Sequence, residues 1–197
     1  MSKIIWFFSL SSIFVACNLE DPSAILESDG KLEGEKVEFN GNRIDVDSTF
    51  SIEIPDYFKS TKAIEAGAIA QYSNLFNGEY LTVSSVDKAI IVERINFEKV
   101  YNKGDSDLLI FADYSCGAFL QSREIINESD WFEVTVDSLN VLAKAVDAIE
   151  SGQNQVLSYW FGYVELDNTF YTIKTWTYFK RKRQFEALAN RMIRSIS

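Results

Sequence analysis

The sequence predicts an α+β fold, an antiparallel β-sheet sandwiched by helices. Three observations carry this. Two long aromatic runs, "VLSYWFGYVEL" (156–166) and "FYTIKTWTYF" (170–179), are joined by Asp167, Asn168 and Thr169. They read as consecutive strands with a tight connection. Bulky residues fall on both faces of these strands, so the sheet needs a cover on both sides, or on one side and partly from a partner. The closing stretch "RKRQFEALANRMIRSI" spaces Phe185, Leu188, Ala189, Met192, Ile193 and Ile196 by threes and fours. That period makes a helix with one apolar stripe, which packs on the sheet.

The other elements follow in chain order. In "TFSIEIP", Phe50, Ile52 and Ile54 alternate with Ser51 and Glu53, and Pro55 ends the run. This is a half-buried strand, and the folded domain is expected to span 48–197. "AIAQYSN" (68–74) and "EYLTVSSV" (79–86) flank "LFNG", where Asn77 and Gly78 supply a hairpin turn signal. "DSDLLIFADYSCGAFLQ" (105–121) reads as a helix with Asp105 or Ser106 as N-cap. Its stripe holds Leu109, Ala112, Cys116, Phe119 and Leu120, which makes Cys116 a buried small hydrophobe rather than a reactive thiol. "NESDW" (127–131) reads as a loop that carries Trp131. "SLNVLAKAVDAI" (138–149) reads as a strand, with a helix as the alternative because of its alanines, and "GQNQ" is a turn. In the first aromatic strand Leu157, Tyr159, Phe161 and Tyr163 share one face, and Trp160 and Val164 take the other.

The N-terminus is of a different kind. Lys3 precedes an apolar run of 12 residues, Ile4–Val15. A membrane-spanning helix needs about 20. Residues 1–16 therefore read as a signal peptide. "FVAC" (14–17) resembles the lipobox of bacterial lipoproteins, with Phe14 where Leu is usual. The resemblance implies cleavage before Cys17 and attachment of diacylglycerol to it. A plain secretory leader with Cys17 incidental is the other reading. Two or three acyl chains would hold the protein on a membrane, where a single chain is marginal. An acylated Cys17 leaves Cys116, the second of 2 cysteines, without a disulfide partner. Asn18 rather than Asp follows the cysteine, which by the same resemblance points to the outer membrane. The expected location is the cell envelope of a Gram-negative bacterium, on the periplasmic face or the cell surface. Residues 17–47 read as an acidic flexible tether, since Asn18–Asp47 holds nine acids against three bases. Glu20 and Asp21 also resemble surface-export signals, and "KVEFNG" (36–41) is the stretch of the tether with strand character.

The domain carries a second resemblance. Its opening "FSIEIPDYF" (50–58) is similar to the F-x-I-x-x-P-x-x-aromatic start of PsbP-like domains. Its close, "FYTIKTWTYFKRKRQFEALANRMIRSI" (170–196), resembles their last aromatic strand, helix and terminal Ser-hydrophobic pair. The family includes the extrinsic PsbP subunit of photosystem II and an import factor that binds the GTPase Ran. The matching positions are apolar, so the resemblance implies fold. No metal or partner residue carries over.

Composition removes several functions. The net charge of −10 opposes binding to phosphate backbones, so nucleic acid is not an expected partner. The chain has no histidine, which rules out Ser-His-Asp and Cys-His catalysis and most catalytic zinc sites. It has neither a phosphate-binding loop motif nor a dinucleotide fingerprint. No catalytic residue, metal site or cofactor is assigned. A carboxylate-pair hydrolase stays open by composition, with no spacing to nominate a pair.

Two features point to binding. Lys180, Arg181, Lys182 and Arg183 open the last helix, where the macrodipole disfavours cations. They call for acids within the protein, or for an acidic partner or anionic headgroups. Trp131 is a candidate anchor for a partner, or a cap on the core. Tyr159, Trp160, Tyr163, Tyr171, Trp176 and Tyr178 read mostly as core. The expected function is a non-enzymatic binding or assembly module, tethered to a membrane and with an envelope protein as candidate partner. The alternatives are a structural envelope lipoprotein without a ligand and a carboxylate hydrolase.

Overall fold

The computed structural model describes residues 40–98, 105–136 and 138–197. The leader 1–16, Cys17 and the tether up to residue 39 lie outside the described residues. In chain order the elements are β1 (Gly41–Val46), β2 (Phe50–Pro55), β3 (Lys59–Ser60), β4 (Ala70–Asn74) and β5 (Glu79–Asp87). Then come α1 (Lys88–Glu98), α2 (Asp107–Leu120), β6 (Arg123–Glu128), β7 (Phe132–Val136) and β8 (Leu139–Glu150). The chain closes with β9 (Val156–Leu166), β10 (Thr169–Tyr178), a 3-10 turn (Phe179–Arg181) and α3 (Lys182–Arg194).

One eight-stranded sheet runs in the order β3-β4-β5-β10-β9-β8-β6, with β7 also paired to β8. Its strand pairs are antiparallel. The aromatic strands β9 and β10 are central, which explains their bulk on both faces. Leu157, Tyr159, Phe161 and Tyr163 enter one core with Phe111, Ala112, Cys116 and Leu120 of α2. Trp160 and Val164 enter the other, with β2 and the stripe of α3. Each Leu, Phe or Val among them contributes about 1.5–3 kcal/mol on burial. Helices on both faces of an antiparallel sheet are the architecture expected.

Local chemistry sets the boundaries. Ser106 caps α2, its hydroxyl accepting from the Leu109 amide at 3.2 Å. Asp167 and Asn168 turn β9 into β10 with φ of 45° and 64°. This left-handed pair matches the twist of a two-residue hairpin. The stripe of α3 is buried throughout, and Ile196 beyond its end is buried too. Gly162 of β9 lies beneath α3, where a Cβ would meet Ile193 at 3.3 Å.

Three features depart from expectation. Ordered structure begins ahead of Ser48, because β1 pairs with β2 from Gly41↔Pro55 to Val46↔Phe50. Acidic composition hides this strand, whose apolar positions Ile44 and Val46 stand opposite Ile52 and Phe50. Helix α1 was not anticipated. Its sequence "KAIIVERINFE" has β-branched residues in a row and no clean stripe, and it buries Ile91 while Ile90 is exposed. Asp87 starts it by accepting the Ala89 amide at 2.7 Å. Third, "NESDW" is not all loop, since Asn127 and Glu128 belong to β6, and β8 is longer than either outer neighbour. β6 pairs with its end and β7 with its beginning. Ser129 fills the gap between them, with its amide on the Ala145 carbonyl at 2.9 Å. Its hydroxyl accepts the Ala145 amide at 3.0 Å.

Candidate functional site

That gap places Trp131 at the rim of an open cleft of about 370 Å³. One wall is α2, whose Asp113, Cys116, Gly117 and Leu120 recur at helical spacing. The opposite side is formed by Ile125 and Glu128 of β6 and Lys144 of β8. The Trp131 indole N–H donates to Asp113 Oδ1 at 2.6 Å, and its ring meets Tyr163 edge-on at 5.7 Å. Lys144 Nζ lies 2.6 Å from Glu128 Oε2 and 5.1 Å above the Trp131 ring. Cation–π contact and ion pairing together fix the lysine across the cleft.

The polar groups of the cleft are engaged with one another. The two acids of the cleft are already acceptors, Asp113 for Trp131 and Glu128 for Lys144. Cys116 is buried, and that burial pushes its thiol up to about 11. It stays protonated at neutral pH, so it is a poor nucleophile. Among the described residues no three acids or cysteines come together as a metal-binding group. The lining is apolar at Leu120 and Ile125 and charged at the Glu128–Lys144 pair.

The basic run is split by the fold. Arg181 turns inward to the buried Glu79 at 3.4 Å. Lys182 turns inward to the buried Asp147 at 2.8 Å. Lys180 and Arg183 face outward, with Lys180 Nζ 5.9 Å from the Tyr178 ring centre. The two inward pairs supply the compensating acids that a cationic helix start requires. They lie on the α3 side of the sheet, and Trp131 packs in the core on the α2 side. The predicted binding residues are therefore not brought together. Of the aromatic set, Tyr159, Trp160, Tyr163 and Tyr171 are buried, while Trp176 and Tyr178 are partly exposed. Cys17 lies outside the described residues.

Sequence reasoning named Trp131 and did not name Lys144, Glu128 and Asp113, which the fold places around the same cleft. Lys144 left a signal, as the lone cation inside the apolar strand "VLAKAV". Its partners left none, because they come from other elements.

No family model matches the chain. No curated protein matches it. Solved structures do. LpqN from Mycobacterium tuberculosis, described as involved in cell envelope biogenesis, is similar over 80% of this chain and 90% of its own. The identity is 8% and the TM-score 0.50. Cyanobacterial PsbP (CyanoP) from Synechocystis sp. PCC 6803 is similar over 83% of this chain and 95% of its own. There the identity is 12% and the TM-score 0.49. At 8% identity the likeness to LpqN is one of fold. Function has to be argued from residues.

Proposed function

We propose that this protein is a lipid-anchored component of the bacterial cell envelope, attached through Cys17. Its domain then serves as a non-enzymatic binding or assembly module. The observation that carries the reading is "FVAC" at 14–17, directly after a short apolar run. The absence of histidine and the cleft of engaged acids support a binding role over a catalytic one. The envelope role given for LpqN agrees with this location. The motifs at 50–58 and 170–196 support a PsbP-like domain. Asn18 favours the outer membrane.

Metabolic labelling with radioactive palmitate tests the anchor. Label should enter the wild-type chain and be absent from Cys17→Ser, and the variant should move to the aqueous phase on detergent partition. Label retained in Cys17→Ser, or an unlabelled wild-type chain beside other labelled lipoproteins, would refute it.

A further inference from the structure

The turn between β4 and β5 reads Leu75-Phe76-Asn77-Gly78. Leu75 is 76% exposed and Phe76 97% exposed, the two highest values among the exposed large hydrophobics described. Turns of this size are ordinarily built from polar residues. The turn is nevertheless well braced. Asn74 donates to Glu79 Oε2 at 2.9 Å beneath it. Gly78 has φ of 65° and leaves room for the Tyr178 ring, which occupies the place of a Cβ. The apolar pair is thus held out on a rigid base.

Other features gather at this end of the sheet. Tyr57 is 43% exposed. The charges of Glu79 and Arg181 both act on it, and partial burial followed by Glu79 pushes its hydroxyl up to about 12. Lys59 pairs with Ser73, next to the turn, and is exposed. Lys180 is exposed beside Tyr178. Asp56 is exposed, and its amide donates to the Asn40 carbonyl at 3.1 Å. Asn40 is where the described domain meets the segment that leads back to Cys17. The segment therefore leaves from the end that carries the apolar tip.

We propose that Leu75 and Phe76 form a membrane-seating tip. They enter the interface of an anionic bilayer, with Tyr57 at headgroup level and Lys59 and Lys180 on the lipid phosphates. Aromatic and apolar side chains insert at that depth, and nearby cations add attraction to anionic lipid. The rest of a chain of net charge −10 is repelled by such a surface, so this end faces it. The tip deepens the anchor reading and rests on it. The acyl group supplies attachment, and the tip fixes the orientation of the domain.

The test uses the acylated full-length protein in vesicles of phosphatidylethanolamine and phosphatidylglycerol, with and without brominated acyl chains. Tryptophan is introduced at the tip (Phe76→Trp) or at the opposite end of the sheet (Ala89→Trp), and emission of the unsubstituted chain is subtracted. Residue 76 should be blue-shifted and quenched at least twofold by bromine, and residue 89 should not. Equal quenching at both positions overturns the tip. Vesicle flotation of Cys17→Ser reads the anchor separately. Flotation through Cys17 with residue 76 unquenched overturns the tip alone. Flotation unchanged by Cys17→Ser with residue 76 quenched overturns the anchor and keeps the tip. No flotation in either form overturns both.

Discussion

Lys182 Nζ lies 2.8 Å from Asp147 Oδ2, and the aspartate side chain is only 4% exposed. Sequence places these residues 35 apart. The pair converts one of four consecutive cations at the start of α3 into an internal counter-charge. It also sets the helix against β8, since Asp147 sits within that strand.

Removing the lysine should cost far more than removing its neighbour. Lys182→Met leaves a buried carboxylate without its cation, and a loss of about 3 kcal/mol is expected. Lys180→Met alters an exposed position and should stay within about 0.5 kcal/mol. Urea unfolding of both variants checks this. Equal losses would mean that Asp147 does not depend on Lys182.

Phe185 anchors α3. It is 1% exposed and meets Trp160 edge-on at 5.6 Å. Phe185→Ala removes that ring from a filled core and should cost about 3–5 kcal/mol. The same unfolding measurement reads it, and a loss under about 1 kcal/mol would show that the core closes over the gap.

The thiol of Cys116 makes stability depend on alkaline pH. Burial pushes it up to about 11 from 9.0. Between those values the unfolded chain gives up the proton and the folded one keeps it. Stability from this group is therefore full below about pH 9 and lost as the pH rises towards 11, with a span of order 2 kcal/mol. The difference in unfolding free energy between wild type and Cys116→Ala should narrow across that window. A constant difference would place the thiol in contact with water.

The turn at Asn168 favours residues that tolerate a positive φ of 64°. Asn168→Gly should be neutral or slightly stabilising. Asn168→Val should cost about 1–2 kcal/mol, because a β-branched side chain opposes the left-handed region. Melting temperatures separate the two. A valine variant as stable as wild type would mean that the turn has changed its type.

The basic run shows where sequence reading stops. Four cations at a helix start announce a need for acids. They do not say which acids answer, because Glu79 lies 102 positions from Arg181. Trp131 in "NESDW" was legible as a loop aromatic, but the bonds that hold it belong to α2 and β8. The turn at Asn77 and Gly78 was legible, and only the fold shows that nothing in the described domain covers Leu75 and Phe76 beside it.

By itself the sequence determined the central strands and their two faces, the stripe of α3 and the burial of Cys116. Each follows from a period of two or of three to four, which is a local record of which side meets water. The tertiary structure alone decided the rest. It recruited β1 from an acidic stretch, made a helix of "KAIIVERINFE", divided Lys180–Arg183 into inward and outward pairs, and closed the cleft at Lys144. Those outcomes depend on which strand lies beside which. Strand order is a property of distant contacts, and no local period encodes it.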